Sequence, residues 1–148
     1  MVSTRWLCIS TRANDEVTRK MNLWGVAKRY ASIIARVKMG DTLFMYTMKE
    51  IGEKEIIPSV ITGVYEAISE VYEDESPIFV TPKALGDEVF PYRIKLKQIR
   101  VFAEPIPFKP LVPEMSFIEN KAKWSAYIRT AMRVIPEVDY QRIVKEGK

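Results

Sequence analysis

Between Tyr92 and Val101 the apolar residues change phase. Tyr92, Ile94 and Leu96 alternate with Arg93, Lys95 and Lys97, and the apolar positions then pass to Ile99 and Val101. Side chains of a strand alternate between its two faces, so a strand with one buried face keeps a single parity. A slip of one residue is the mark of a bulge, which bends the strand and tightens its twist. A chain with such a strand cannot build a flat sheet. It calls for a strongly bent one, turning a barrel corner.

The other segments fit that frame. Arg5-Trp6-Leu7-Cys8-Ile9-Ser10 reads as a central first strand, and Thr42 to Thr47 as another, delivered by the Met39-Gly40-Asp41 turn. Asn14-Asp15 is a plausible helix start, with the Trp24 segment just past the helix end; Tyr30, Ile33, Ile34 and Val37 have the spacing of a second helix. Glu50 to Glu55 reads as a charged hairpin-like loop, followed by a long strand from Ile57 to Ile68 interrupted by Pro58 and Gly63. Glu70 to Ser76 reads as a polar loop. Pro105, Pro107, Pro110 and Pro113 suggest a stiff surface linker. Trp124, Tyr127, Ile128, Ala131, Met132 and Ile135 suggest a helix, and Pro136-Glu137 starts a last one. The expectation is a single domain over residues 1–148: an α+β fold with a bent, mostly antiparallel β-barrel and flanking helices.

Composition narrows the chemistry. There is no histidine and one cysteine, Cys8, so Ser-His-Asp and Cys-His systems, His-based metal sites and internal disulfides are all excluded. The expectation is no cofactor, no metal and no catalytic residue; Cys8 should face the core. The carboxylates Glu66, Glu70, Glu73, Asp74 and Glu75 show no metal-ligand spacing. Hydrophobic residues make up 47% of the chain, yet no apolar run reaches the roughly 20 residues of a membrane helix. No signal-peptide pattern is visible, and a single cysteine suits a cytoplasmic setting. Few amide side chains and abundant Lys, Glu and Ile lean toward a thermophile.

Net charge is +4, but it is segregated. Residues 1–49 hold nine Lys/Arg against three Asp/Glu, residues 50–90 two against ten, and residues 91–148 twelve against six. Such a chain can turn a basic face to phosphate. Arg12, Arg19, Lys20 and Lys28, with Arg93, Lys95, Lys97 and the nearby Arg100, are the candidate phosphate contacts; an alternating strand face is equally a solvated surface.

Trp24 stands in Asn22-Leu23-Trp24-Gly25-Val26, inside a basic stretch. An indole beside an amide and a glycine can stack on a flat base and read its edge, or simply pack in a core. Ser10-Thr11 and Tyr46-Thr47, at the ends of two strands, could supply hydroxyls at a barrel mouth. Thr62-Gly63 could mark a close ligand approach or a structural bulge.

Four stretches taken in order resemble the EVE domain of the PUA-like superfamily, related to the YTH and ASCH domains. They are Trp6-Leu7-Cys8-Ile9-Ser10, Met39-Gly40-Asp41 with Phe44-Met45-Tyr46, Ile61-Thr62-Gly63, and Ser116-Phe117-Ile118-Glu119-Asn120-Lys121 with Trp124. The resemblance implies a bent barrel whose pocket accepts a flipped, modified base of RNA or DNA, without catalysis. In YTH domains, which bind N6-methyladenine in RNA, an Asn-Ile-Trp-Cys-Ser segment is similar to Asn22–Val26. On that match Trp24 is a cage wall, and Ser10 and Asn22 are edge readers. The loop Tyr72–Pro77 lacks the second cage Trp of YTH domains, and the Gly-rich, His-containing segment of many EVE sequences is absent. Two other functions compete with nucleic-acid binding: an ASCH-type ribonuclease or hydrolase, and a regulatory binder of a free nucleotide or another small ligand.

Overall fold

A computed structural model describes residues 3–147. The sheet runs β2 (Leu23–Val26), β8 (Tyr92–Pro107), β6 (Val60–Ala67), β3 (Thr42–Thr47), β1 (Arg5–Ser10), β9 (Met132–Ile135), and a short β7 (Tyr72–Glu73) also pairs with β8. Only the β1–β3 pair is parallel among the described strands; the rest are antiparallel. β4 (Glu50–Ile51) and β5 (Ile56–Ile57) form a separate ribbon. Helices α1 (Arg12–Met21), α2 (Ala31–Ile34) and α3 (Glu137–Glu146) flank the sheet.

The bend falls where the apolar phase slips. Val64 pairs with Arg100 and Tyr65 with Gln98, so Ile99 is the extra residue of a bulge, and it is exposed. Residues 92–95 of β8 pair with β2 and residues 96–107 with β6, which lets one 16-residue strand carry the sheet round the corner. Gly63 sits at this crossing. A Cβ there would stand 2.8 Å from the Arg100 carbonyl oxygen, so the close approach is made by β8.

β1 and β3 are buried on both faces, which explains their unbroken apolar runs. Leu7, Phe44 and Tyr46 enter one core with Phe108, Met115, Ile118 and Ile143. Trp6, Cys8, Leu43 and Met45 enter the other, with Tyr65, Ile94 and Met132.

Several sequence expectations change. The strand expected from Ile57 to Ile68 is two, since β5 ends at Ile57 paired with β4 and β6 begins at Val60, and the expected loop Glu70–Ser76 contains strand β7. Residues 121–135 are not one helix: 3-10 turns over Lys121–Ile128, kinked at Lys123, give way to strand β9, which pairs with the free edge of β1. Satisfying that edge outweighs the helical spacing of Ala131, Met132 and Ile135. The proline segment is no surface linker, because Phe108, Leu111 and Val112 are buried and a 3-10 turn spans Lys109–Glu114. α1 starts at Arg12, with Thr11 as its N-cap accepting from the Asn14 N–H at 3.2 Å. The second helix is one turn long, since the chain closes into successive tight turns before Gly40.

Candidate functional site

The barrel does not close. β2 and β9 are its two free edges, and they approach where the Trp24 indole N–H donates to the Met132 sulfur at 3.4 Å. Above this seam lies a cavity of about 690 Å³. Its floor comes from the ends of β1 and β3 (Ile9, Ser10, Tyr46) and from β2 (Trp24, Gly25, Val26); one side is the segment Trp124 to Ala131. Phe79, Pro82, Leu85 and Phe90 roof it, from the loop between β7 and β8.

Six aromatic rings line this cavity: Trp24, Tyr30, Tyr46, Phe79, Phe90 and Trp124. So do four cations, Arg29, Lys49, Lys109 and Arg129, and no carboxylate. A flat, hydrophobic interior under an uncompensated positive rim suits an aromatic ring carrying negative charge next to it. A second depression, of about 500 Å³, is lined by Glu75, Asp87 and Glu88 with one Lys28, and it would repel an anion.

The roof is built with care for its position. Asn14 clamps it from α1, donating to the Val80 carbonyl at 2.9 Å and accepting from the Val80 N–H at 2.6 Å, as a neighbouring strand would. Phe79 packs edge-on against Phe90, with ring centres 5.9 Å apart. Gly25 makes room for it: a Cβ there would lie 2.6 Å from Phe79 Cε2. Phe90 has φ 53°, an uncommon left-handed conformation for a bulky residue, and its carbonyl accepts from Arg93 Nε at 3.0 Å.

Arg93 is therefore no phosphate contact. Its side chain is 0% exposed, and it donates to the Ser76 hydroxyl at 2.9 Å and to the carbonyls of Ser76, Val89 and Phe90, with Asp74 at 3.4 Å. A planar guanidinium with five donors can gather a loop in this way, and the alternation Arg93-Lys95-Lys97 gave no hint of it. β7 pairs with this part of β8 along its edge, and the loop carrying Ser76, Val89 and Phe90 closes over the guanidinium.

Of the pocket residues expected from sequence, Ser10, Thr11, Trp24, Val26 and Tyr46 line the cavity, while Asn22, Thr47, Thr62 and Gly63 lie away from it. Trp24 is both cavity wall and core, at 3% exposure. Burial raises the Tyr46 hydroxyl above its ordinary pKa, opposed by a hydrogen bond with Ser59. Asn22 is the left-handed C-cap of α1, and its Oδ1 accepts from Gln98. Thr47 is buried within the sheet. The Thr62 hydroxyl donates to Asp15 at 2.8 Å beneath α1. Burial raises the Asp15 pKa, opposed by that hydrogen bond and by Arg19. The Tyr65 hydroxyl nearby is pushed up to about 12, first by burial and then by Asp15.

The exposed cations fall into two places. Arg12 and Lys28 adjoin the cavity-lining residues Thr11 and Arg29. Arg19 and Lys20 lie in the last turn of α1, about 10–12 Å beyond Arg12 at 1.5 Å per residue, near Lys95 and Lys97 on β8. Arg29, Lys49, Lys109, Arg129, Phe79 and Trp124 were not expected at the cavity. Nothing local marks them, since the loop, the ribbon and the 121–131 segment meet only through the topology. Among the described residues no group of three or more Cys, Asp or Glu could hold a metal, and no helix is long and apolar enough to cross a membrane.

A bent, unclosed α+β half-barrel with its cavity at the seam defines a PUA-like domain. The same fold occurs in human THYN1, solved in complex with 5-methylcytosine-containing DNA, with a TM-score of 0.62 and 13% identity; the match covers 97% of this chain and 96% of that one. It also occurs in the YTH domain of Zygosaccharomyces rouxii MRB1, solved in complex with N6-methyladenosine RNA, with a TM-score of 0.60 and 14% identity over 97% and 85% of the two chains. The EVE domain family model matches residues 4–146, and a UPF0310 protein of Pyrococcus horikoshii is 43% identical over 144 residues, 96% of this chain and 97% of its own. The chain belongs to the EVE domain family.

Proposed function

We propose that this protein binds nucleic acid by taking one everted, modified base into the seam cavity, and that it does so without catalysis. The observation that carries the reading is the lining itself: six aromatic rings, four cations and no carboxylate in one space of about 690 Å³. Two proteins of the same fold were solved with a methylated base in DNA or RNA, which supports the ligand class.

In this reading Trp24 stacks on the base, and Ser10, Thr11, Val26 and Tyr46 surround its edge. Gly25 adds a backbone edge. Leu96 donates to the Asn22 carbonyl, so alternation along the antiparallel pair turns the Gly25 N–H and C=O away from β8, toward the seam. Arg29, Lys49, Lys109 and Arg129 meet the flanking phosphates, with Arg12 beside them, while Lys28 lies in the acidic depression and makes no such contact. Arg19, Lys20, Lys95 and Lys97 extend the track along α1. Hydroxyls, amides and a phenol whose pKa is raised by burial distinguish an edge without transferring its protons, whereas a hydrolase needs a group that titrates near neutrality.

Eversion is directly readable. With 2-aminopurine placed beside the methylated base on the same strand of a duplex, the protein should raise its fluorescence as that neighbour leaves the stack. Tight binding with no rise would refute the everted base. A cavity this size also admits a whole free nucleotide, and that reading predicts affinity with little salt dependence, against a steep one for a polymer.

A further inference from the structure

The ribbon β4–β5 leaves the cavity rim and carries an apolar pair that nothing covers. Ile51 and Ile56 are directly paired in register, so both point to one side of the ribbon, and they are 76% and 62% exposed. Met48, itself exposed, and Lys49 lead from the cavity straight into β4. The ribbon is a defined element: the Gly52 N–H bonds the Glu55 carbonyl at 2.8 Å across its turn, and the Arg12 N–H donates to Glu50 at 3.4 Å, tying its base to the start of α1. Two bulky β-branched side chains held side by side in water, next to a positively lined cavity, have no role in the core.

We propose that Ile51 and Ile56 form a wedge that enters the base stack of a duplex and fills the gap left by the base taken into the cavity. The inference rests on the everted-base reading. The occupant follows from charge. The cavity lining beside the ribbon carries Arg29, Lys49, Lys109 and Arg129 and no carboxylate, so a polyanion drawn to the cavity would lie beside Ile51 and Ile56. The ribbon itself holds Glu50, Glu53 and Glu55 against Lys49 and Lys54, which gives it no electrostatic pull on phosphate. Its contribution is therefore apolar. Isoleucine and methionine are among the side chains that part base steps, and a duplex losing one base to a pocket opens such a step within reach.

The test uses the full chain and the double variant Ile51→Ala/Ile56→Ala. Three probes carry the same methylated base, 5-methylcytosine in one series and N6-methyladenine in another: a duplex of about 15 base pairs, the matching single strand, and the free nucleoside. Both side chains are exposed, so thermal unfolding should be unchanged. Duplex affinity should fall about tenfold, while single-strand and nucleoside affinities stay within about twofold, because only the duplex has a gap to fill. Equal loss on duplex and single strand, or no loss on either, overturns the wedge while leaving the cavity reading intact. Duplex-specific loss together with a change from dimer to monomer would assign the pair to self-association, which also overturns it. Failure of the wild-type protein to bind any probe would remove the everted-base reading and the wedge with it.

Discussion

Gly25→Ala adds one methyl group at the point where the cavity roof meets its floor. The new Cβ would stand 2.6 Å from Phe79 Cε2, 2.9 Å from Cζ and 3.2 Å from the Phe90 carbonyl oxygen, all shorter than comfortable contact. The Phe79 ring cannot simply retreat. Phe90 packs edge-on against it, the Arg93 guanidinium lies 5.3 Å from its centre, and two hydrogen bonds from Asn14 fix the next residue, Val80. Overpacking a well-filled site costs about 1–3 kcal/mol, and with three restraints on the ring the expected loss is about 2 kcal/mol or more. Urea unfolding measures it. The same displacement pushes the roof across the cavity, so base binding should weaken by more than the fold does. Phe79→Leu removes the clashing atoms, so the double variant should recover part of the loss as a favourable coupling. A Gly25→Ala protein within about 0.5 kcal/mol of the parent, with unchanged affinity, would show that the roof is soft and that the restraints named here do not hold it.

Trp24 belongs to core and cavity together, so Trp24→Ala should cost about 3–5 kcal/mol in urea unfolding as well as base affinity; loss of affinity alone would contradict its near-complete burial. Replacing Arg29 and Arg129 by Gln should flatten the salt dependence of oligonucleotide binding by about one phosphate contact per residue, for short and long probes alike. For Lys95 and Lys97 the flattening should appear only with strands long enough to cross the roughly 10–12 Å along α1, and equal effects on short probes would refute that layout. Asp15 has a raised folded pKa, so its contribution to stability is fully present when protonated, below the ordinary value of 3.8, and is lost as pH rises through the raised value. Asp15→Asn keeps an acceptor for Thr62 and should gain stability over the parent at pH 8, with the gap closing near pH 4 in paired thermal melts. A gap of the same size at both pH values would contradict the burial cost.

The corner in β8 was legible because a bulge leaves a parity change in the sequence, and the first apolar residue out of phase after Leu96, Ile99, is the extra residue of the bulge. β1 and β3 were legible because strands covered on both faces need unbroken apolar runs. The turn at Gly52 was legible as a hairpin-like loop, but Ile57, read as the start of the next strand, belongs to the ribbon with β4. The strand β9 was not legible: Ala131, Met132 and Ile135 also satisfy a helix, and what decides is the unpaired edge of β1, more than 120 residues earlier. The cavity divides in the same way. Ser10, Thr11, Trp24, Val26 and Tyr46 lie at ends of predictable elements, so their convergence could be read. Arg29, Phe79, Lys109 and Arg129 come from loops whose position depends on long-range hydrogen bonds such as Asn14 to Val80. Arg93 misled because a buried cation and a solvated one look alike in an alternating strand, and only the carbonyls of Ser76, Val89 and Phe90 tell them apart.

The central claim is that the cavity reads a modified base, and competition between a methylated and an unmethylated oligonucleotide of one sequence, at one salt concentration, tests it most directly. Electrostatic contacts are identical for the two, so any difference comes from the base site. One added methyl group in an apolar pocket is worth about 1–3 kcal/mol, so for either 5-methylcytosine or N6-methyladenine the methylated strand should win by about tenfold or more. Equal affinity for methylated and unmethylated strands in both series would contradict the account.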